Sequence, residues 1–313
     1  MKKTILFAAA AAVLSLTACS SNDNEPQGGE ANGAARFSAT IGAPQSRAFD
    51  QTWENGDKIG ITGTTGGKSY SNVAYATTGD GKFSVVTPGS DIYYQDRENV
   101  TFTAYYPYAA DASNIAADTW AQANQKQFDF LWAQAQGSKA APNVAFSFAH
   151  KMAKIVITIK KGADVSFDEV KKAGYALEGF KHAGTFNAVD GTATATGDLS
   201  TRWVFGDAGI EENNAPYTVD TDNETVSYTL IFFPQEFSAA LPFTATITGM
   251  QSFGANLDFT AANSTAGDTD AKNAWVAGRQ YNLSVTLNKT SLTVNGCTIQ
   301  AWNETDGGEY EAE

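Results

Sequence analysis

Two histidines, His150 and His182, two cysteines, Cys19 and Cys297, and 34 acidic residues are the side chains of this 313-residue chain with the types needed for acid–base, nucleophilic or metal chemistry. Neither histidine is followed two to four residues later by a His, Cys or acid, the spacing that brings ligands onto one zinc ion. A histidine beside a strand is expected to be a hydrogen-bonded structural residue. No GxSxG elbow, GxxxxGK phosphate loop or CxxC pair occurs. Two carboxylates about 5 to 10 Å apart would make a glycosidase pair, but sequence alone does not place them. Cys297 follows Asn295-Gly296 on an expected strand, where a buried, unreactive thiol is anticipated. The expectation is a non-enzyme with no catalytic residue, cofactor or metal. Trp120, Trp132, Trp203, Trp275 and the tyrosines of "TAYYPYAA" are either core or a face that stacks on sugar rings.

Cys19 has a different setting. Lys2 and Lys3 precede an apolar run from Ile5 to Leu16, and Ala18 is a small residue before the thiol. This is the composition of a secretory signal, and it is shorter than the roughly 20 apolar residues that span a bilayer. Leu16, Thr17, Ala18 and Cys19 resemble the bacterial lipobox, in which the cysteine sulfur takes a diacylglycerol and cleavage frees its amine for a further acyl chain. Two or three buried chains at ~0.8 kcal/mol per CH₂ anchor a protein firmly. The expected order is thus a signal peptide over 1–18 and a disordered tether over 19–35, rich in Asn, Gly, Ser and Glu.

About 290 residues would remain, enough for two domains. A net charge of -13 and a pI near 4.6 argue against nucleic acid as a partner, because phosphate binding needs a basic face. With Cys19 acylated, Cys297 has no partner for an intramolecular disulfide, so packing must supply stability.

The elements that must position any site are strands. "QYNLSVTL", "ARFSATIG", "KIVITIK" and "TVSYTLIFF" alternate apolar and polar residues, so Phe37, Ala39 and Ile41, for example, share one face. Gly79-Asp80-Gly81, Asp190-Gly191, Asn288-Lys289 and Asn295-Gly296 read as turns, which makes 278–302 a three-stranded meander. Ser166 with Glu169 three residues on, and Gly174 beyond, marks a short helix in "SFDEVKKAG"; "ADTWAQANQKQ" is a second helix or a loop. Roughly fourteen to sixteen strands exceed one sandwich of seven or eight. The expected fold is all-β: two β-sandwich domains in tandem with few short helices, over 36–161 and 162–303, and a polar tail over 304–313.

The lipobox, "WENGDKIGI" (53–61), "FTAYYPY" (102–108), "FDFLWA" (128–133), "FSFAHKMAKIVITIK" (146–160) and "AGRQYNLSVTLNKTSLTVNGCTIQAW" (277–302) together resemble the fimbrillin-like family of Bacteroidales, subunits and accessory proteins of type V pili. Asp23 and Glu25 are similar to an acidic export signal of Bacteroidales lipoproteins. The resemblance implies a transthyretin-like Greek-key topology for both sandwiches. It also implies an exported lipoprotein of the outer membrane, exposed at the cell surface in a fimbrium, acting in adhesion to a host or bacterial surface ligand.

The family implies a mechanism as well. An Arg-specific protease cuts in a loop after the first strand, the strand leaves, and another fimbrial subunit donates a strand in its place. Here the matching bond is Arg47–Ala48, in "GAPQSRAFDQ", and the displaced strand carries Phe37, Ala39 and Ile41. A cut at Arg36 would leave that strand in place. The final "NETDGGEYEAE" is too polar to fill a groove, which points to a tip, accessory or anchor role. The rival reading is a monomeric surface glycan-binding lipoprotein of a nutrient-uptake system, and a surface hydrolase comes third.

Overall fold

Period-two patterning becomes strand throughout the residues that the computed structural model describes, 33–42, 52–206, 214–250, 252–260 and 273–302. Cys19, Arg47, Ala48 and the tail over 304–313 lie outside them. In the first half the strands are β1 (Arg36–Ile41), β2 (Lys58–Thr65), β3 (Lys68–Thr77), β4 (Lys82–Val85), β5 (Val100–Tyr106), β6 (Ile115–Asp118), β7 (Leu131–Gly137) and β8 (Asn143–His150). All but β6 close into a seven-stranded barrel in the order β1-β4-β3-β2-β5-β7-β8. Their inward residues, among them Phe37, Ile59, Ile61, Phe102, Phe146 and Phe148, make one core. Where two separate sandwich layers are expected, the hydrogen bonding is thus continuous, because β1 bonds to both β8 and β4.

The second half comprises β9 (Ala153–Lys161), helix α1 (Phe167–Lys172), β10 (Gly174–Leu177), β11 (Ala183–Asn187), β12 (Thr192–Thr196), β13 (Trp203–Phe205), β14 (Tyr217–Asp220), β15 (Thr225–Phe232), β16 (Gln235–Glu236), β17 (Leu241–Thr246), β18 (Ser252–Leu257), β19 (Ala274–Trp275), β20 (Arg279–Leu287) and β21 (Leu292–Ala301). A five-stranded sheet, β14-β15-β9-β20-β21, and a four-stranded sheet, β13-β10-β17-β18, bury one shared core. Ile155, Ile157 and Ile159 of β9 and Val285 of β20 meet Tyr175 of β10 and Phe243 of β17 there. Helix α1 starts at the expected capping box: the Ser166 hydroxyl accepts from Glu169 N at 3.2 Å and the Glu169 carboxylate accepts from Ser166 N at 2.7 Å.

Three sequence-based expectations need correction: the domain boundary, the C-terminal meander and the extent of the tether. The boundary after residue 161 gives β9 to the first half, yet β9 lies between β15 and β20 in the second half's sheet. Alternation in "KIVITIK" specifies a strand but not its neighbours. The halves also interlock, since β6 joins β11 and β12 in a three-stranded sheet. Residues 278–302 form two strands, not three. Asn295 is the extra residue of a bulge in β21, where pairing steps from Ser284–Gly296 to Val285–Val294, and its amide donates to Thr286 Oγ1 at 2.9 Å. Residues 33–35, placed in the tether by the sequence reading, are instead held by the fold: Ala34 bridges Tyr93, and Ala35 N donates to Ile92 O at 2.8 Å. Of the two readings of "ADTWAQANQKQ" the loop is the one seen, with Gln125–Gln127 as a single 3-10 turn.

A third cluster packs where the halves meet, around Phe130, Met152, Phe186, Phe233 and Trp302. Phe130 and Phe186 stack with centroids 4.5 Å apart.

Candidate functional site around the first strand

The "RFSATI" stretch places Phe37, Ala39 and Ile41 inward on β1, all buried. Phe37 sits among aromatic rings, edge-on to Tyr75 at 5.0 Å and Phe102 at 5.3 Å and stacked on Phe146 at 5.8 Å. Beside β8 the strand runs parallel through six paired positions, from Arg36–Asn143 to Ile41–Phe148. On its other side the ladder to β4 is short, Phe37–Phe83 and Ser38–Lys82. One longer and one shorter seam therefore hold β1, and both partners come from much later in the chain.

Trp53, the first residue of "WENGDKIGI", clasps β1 from above. Its Nε1 donates to Ala39 O at 2.9 Å, and its ring lies edge-on to Phe83, Tyr106 and Phe148 at 5.1, 5.5 and 5.4 Å. Gly81 completes the grip, because Ala39 N donates to its carbonyl at 2.8 Å. With φ at +75° and a hypothetical Cβ only 2.8 Å from Ala39 O, no other residue fits this turn. At the Ile41 end a cleft of about 290 Å³ opens, walled by Trp53, Asp57, Tyr106, Asp129 and Leu131. There the Tyr106 hydroxyl donates to Asp57 Oδ1 at 3.1 Å. Burial first, and the Asp57 carboxylate second, push the phenol's pKa up, so it stays a neutral donor. Lys126 and Glu54 pair across the mouth.

Chemically, this arrangement holds a strand through pairing, aromatic packing and one indole hydrogen bond. Among the described residues no group of three or more His, Cys, Asp or Glu is placed to hold a metal. His150 Nδ1 is 2.8 Å from Asp129 Oδ1, and its ring stacks on Trp302 at 3.8 Å with planes 9° apart. His182 Nδ1 is 2.7 Å from Asp118 Oδ1 and its ring lies edge-on to Trp120. Cys297 is buried, and burial, aided by Asp258, raises its pKa from 9.0 to about 12. Trp203 and Trp275 are fully buried, and Trp120 and Trp132 are half-buried with Trp132 Nε1 donating to Ala188 O at 3.0 Å. Trp203 and Trp275 therefore belong to the core, and only Trp120 and Trp132 of the four present part of their rings to solvent.

A model of the fimbrillin-like family matches residues 46–302. The chain belongs to the fimbrillin-like family. A curated relative from Bacteroides uniformis, named "Putative fimbrium subunit Fim1C", is 29% identical to this fimbrillin-like chain over 98% of each. Of the solved structures similar to it, a "putative cell adhesion protein" from Bacteroides uniformis is 29% identical, with a TM-score of 0.65 over 86% of this chain and 99% of that one. Another, of the same description, from Bacteroides ovatus is 22% identical, with a TM-score of 0.66 over 88% and 100%, and shares the fold. The family match begins at Ser46 and so leaves β1 outside it, although β1 closes the fimbrillin-like barrel.

Sequence reasoning missed two features of this fimbrillin-like protein. The Trp53–Ala39 clasp joins positions 14 apart across the segment that holds Arg47, and no local pattern encodes it. The His150–Trp302 stack joins positions that only the packing of the two halves brings together.

Proposed function

We propose that this protein is a fimbrial subunit, made as an exported lipoprotein acylated at Cys19, held at the outer membrane and assembled at the cell surface by exchange of β1, where it acts in adhesion. The observation that carries the reading is the position of β1. It fills a place in a closed barrel, its inward face is apolar, and its connection to the rest of the barrel runs through the segment that contains Arg47.

Cleavage of the Arg47–Ala48 bond would leave β1 attached by non-covalent contacts alone. Its departure would uncover Phe102, Phe146 and Trp53 and leave the edge groups of β8 without partners. Burying each large apolar side chain again gains ~1.5–3 kcal/mol, and an open strand edge is a template for another chain. A strand from another subunit, alternating like Phe37, Ala39 and Ile41, fits that vacancy. Because such a contact joins different surfaces of successive subunits, it propagates into a filament. The family match starting at Ser46 and the name of the Bacteroides uniformis relative support this reading.

The test is digestion of the purified chain with an Arg-specific protease, followed by native mass spectrometry. Loss of the segment ending at Arg47, with gain of binding to a fimbrial partner of the same bacterium, is expected. A cut product that keeps β1 bound and gains no partner would overturn strand exchange.

A further inference from the structure

A second hollow, of about 360 Å³, lies on the outer side of the barrel on β2, β3 and β5, strands that are not hydrogen-bonded to β1. That volume is within the range of small-molecule sites. The loop after Tyr108 and the β11–β12 turn form its walls. Its base is a closed polar network. The Tyr105 hydroxyl lies 2.8 Å from both Asn72 Oδ1 and Ala109 O, and Asn72 Nδ2 donates to Ala109 O at 2.8 Å and to Ala110 O at 3.1 Å.

Asn72 has φ +50°, a left-handed conformation that residues other than Gly and Asn rarely adopt and that persists where its surroundings enforce it. Asn72 belongs to a bulge in β3, where Ser71 and Asn72 together stand opposite Thr62 of β2, and Thr62 Oγ1 accepts from Asn72 N at 3.0 Å. Gly60 gives the ring room, since a Cβ there would stand 2.3 Å from Tyr105 Cε1. A bulge built on a left-handed asparagine and a missing side chain at Gly60 thus converge on one surface hollow, the kind of local irregularity that re-aims side chains at functional sites.

What the hollow offers is equally specific. Ser71, exposed, and Thr103, partly exposed, bring two hydroxyls to its lining. Asp111 Oδ1 accepts from Ser113 N at 3.0 Å and Ser113 Oγ at 2.8 Å, which leaves Oδ2 free among the described residues. No basic side chain lines the hollow, and Val189, 69% exposed, gives it one apolar edge. Two hydroxyls, a carboxylate oxygen and a small apolar rim, without a cation, suit a neutral polyhydroxyl ligand. Without a basic group they disfavour phosphate, sulfate or a carboxylated sugar. A peptide would call for an open strand edge or an apolar anchor pocket instead.

We propose that this hollow binds one neutral sugar residue of a surface glycan, with Ser71, Thr103 and Asp111 hydrogen-bonding its hydroxyls. The inference deepens the adhesion part of the proposed function and rests on it for its biological setting, but it does not depend on strand exchange.

The test is saturation-transfer NMR on the intact chain, β1 in place, with millimolar methyl glycosides of neutral hexoses and N-acetylhexosamines and with N-acetylneuraminic acid as the anionic comparison. At least one neutral glycoside is expected to receive saturation, and the anionic sugar is not. Thr103→Val and Asp111→Asn are each expected to weaken binding by about tenfold, the equivalent of one good hydrogen bond, with thermal unfolding unchanged. Both side chains are at least partly solvent-accessible, and Ser71→Ala, at an exposed position, provides a third variant. Silence from every neutral glycoside, preference for the anionic sugar, or undiminished binding in the combined Ser71→Ala, Thr103→Val variant would overturn the proposal. Failure of strand release after proteolysis would leave this result standing, so the two readings fall separately.

Discussion

The indole Nε1 of Trp53 donates to the carbonyl oxygen of Ala39 at 2.9 Å, and so the chain grips its own first strand from the far side of the segment that carries Arg47. A cut in the intervening peptide would remove neither partner, because neither lies within 43–51. A latch of this kind would keep a nicked precursor closed until a competing strand arrives.

Trp53→Phe should therefore keep most of the apolar packing and lose the donor. The expected cost is about 1 kcal/mol, the usual net value of one hydrogen bond, with the carbonyl of Ala39 left unpaired by the indole. Hydrogen exchange should show faster opening of β1 amides than of β9 amides. Equal rates in wild type and variant would remove the latch.

Phe37→Ala should be harsher. Phe37 is buried against Tyr75, Phe102 and Phe146, and a large-to-small change there costs about 3–5 kcal/mol. Urea denaturation reads the loss. If cleavage at Arg47 precedes strand release, the same variant should lose β1 sooner after the cut.

Cys297 sets a pH dependence. Its folded pKa is raised to about 12 from 9.0, so the unfolded thiol ionises first. Stability from this group is complete below about pH 9 and declines as pH rises toward 12, since the unfolded state then binds fewer protons than the native state. Tyr75, raised to about 12 by burial, adds to the decline near its own range. Alkylation with iodoacetamide at pH 8 should accordingly be negligible in the native protein and rapid in urea, and Cys297→Ala should flatten the alkaline limb of the stability profile.

Trp302→Ala tests the closure of the second half. Trp302 stacks on His150 and packs with Met152, Phe130 and Phe233 where the halves meet, so its removal should cost about 3–5 kcal/mol. A cycle with His150→Ala should reveal a coupling of about 0.5–1.5 kcal/mol for the stacked pair. Additive effects would mean that the stack contributes nothing of its own.

Local chemistry was legible where one segment decides its own conformation. Ser166 and Glu169 specify the start of α1 because cap and acceptor are three residues apart, and Phe37, Ala39 and Ile41 specify an inward face because side chains alternate along a strand. Partnership was not legible. "KIVITIK" pairs with β15 and β20, dozens of residues later, and alternation is silent about which strand lies alongside. Asn295-Gly296 suits a two-residue turn in isolation, but the continuous ladder between β20 and β21 converts it into a bulge, as tertiary pairing overrides local preference. The Asn72 network was hidden for the same reason. Its members, Thr62, Asn72, Tyr105 and Ala109, come together only when β2, β3 and β5 align.

The crossing of β6 into the second half has a mechanical meaning. Ile115, Ala116, Ala117 and Asp118 pair with Phe186, Thr185, Gly184 and Ala183, and the following residues continue the stitching: Thr119 N donates to His182 O, Trp203 Nε1 to Trp120 O, and Gln122 exchanges two bonds with Ile231. Tension applied along a filament would meet these bonds together with the Phe130–Phe186 stack, so the barrel and the sandwich would have to shear apart collectively instead of swinging open on a hinge.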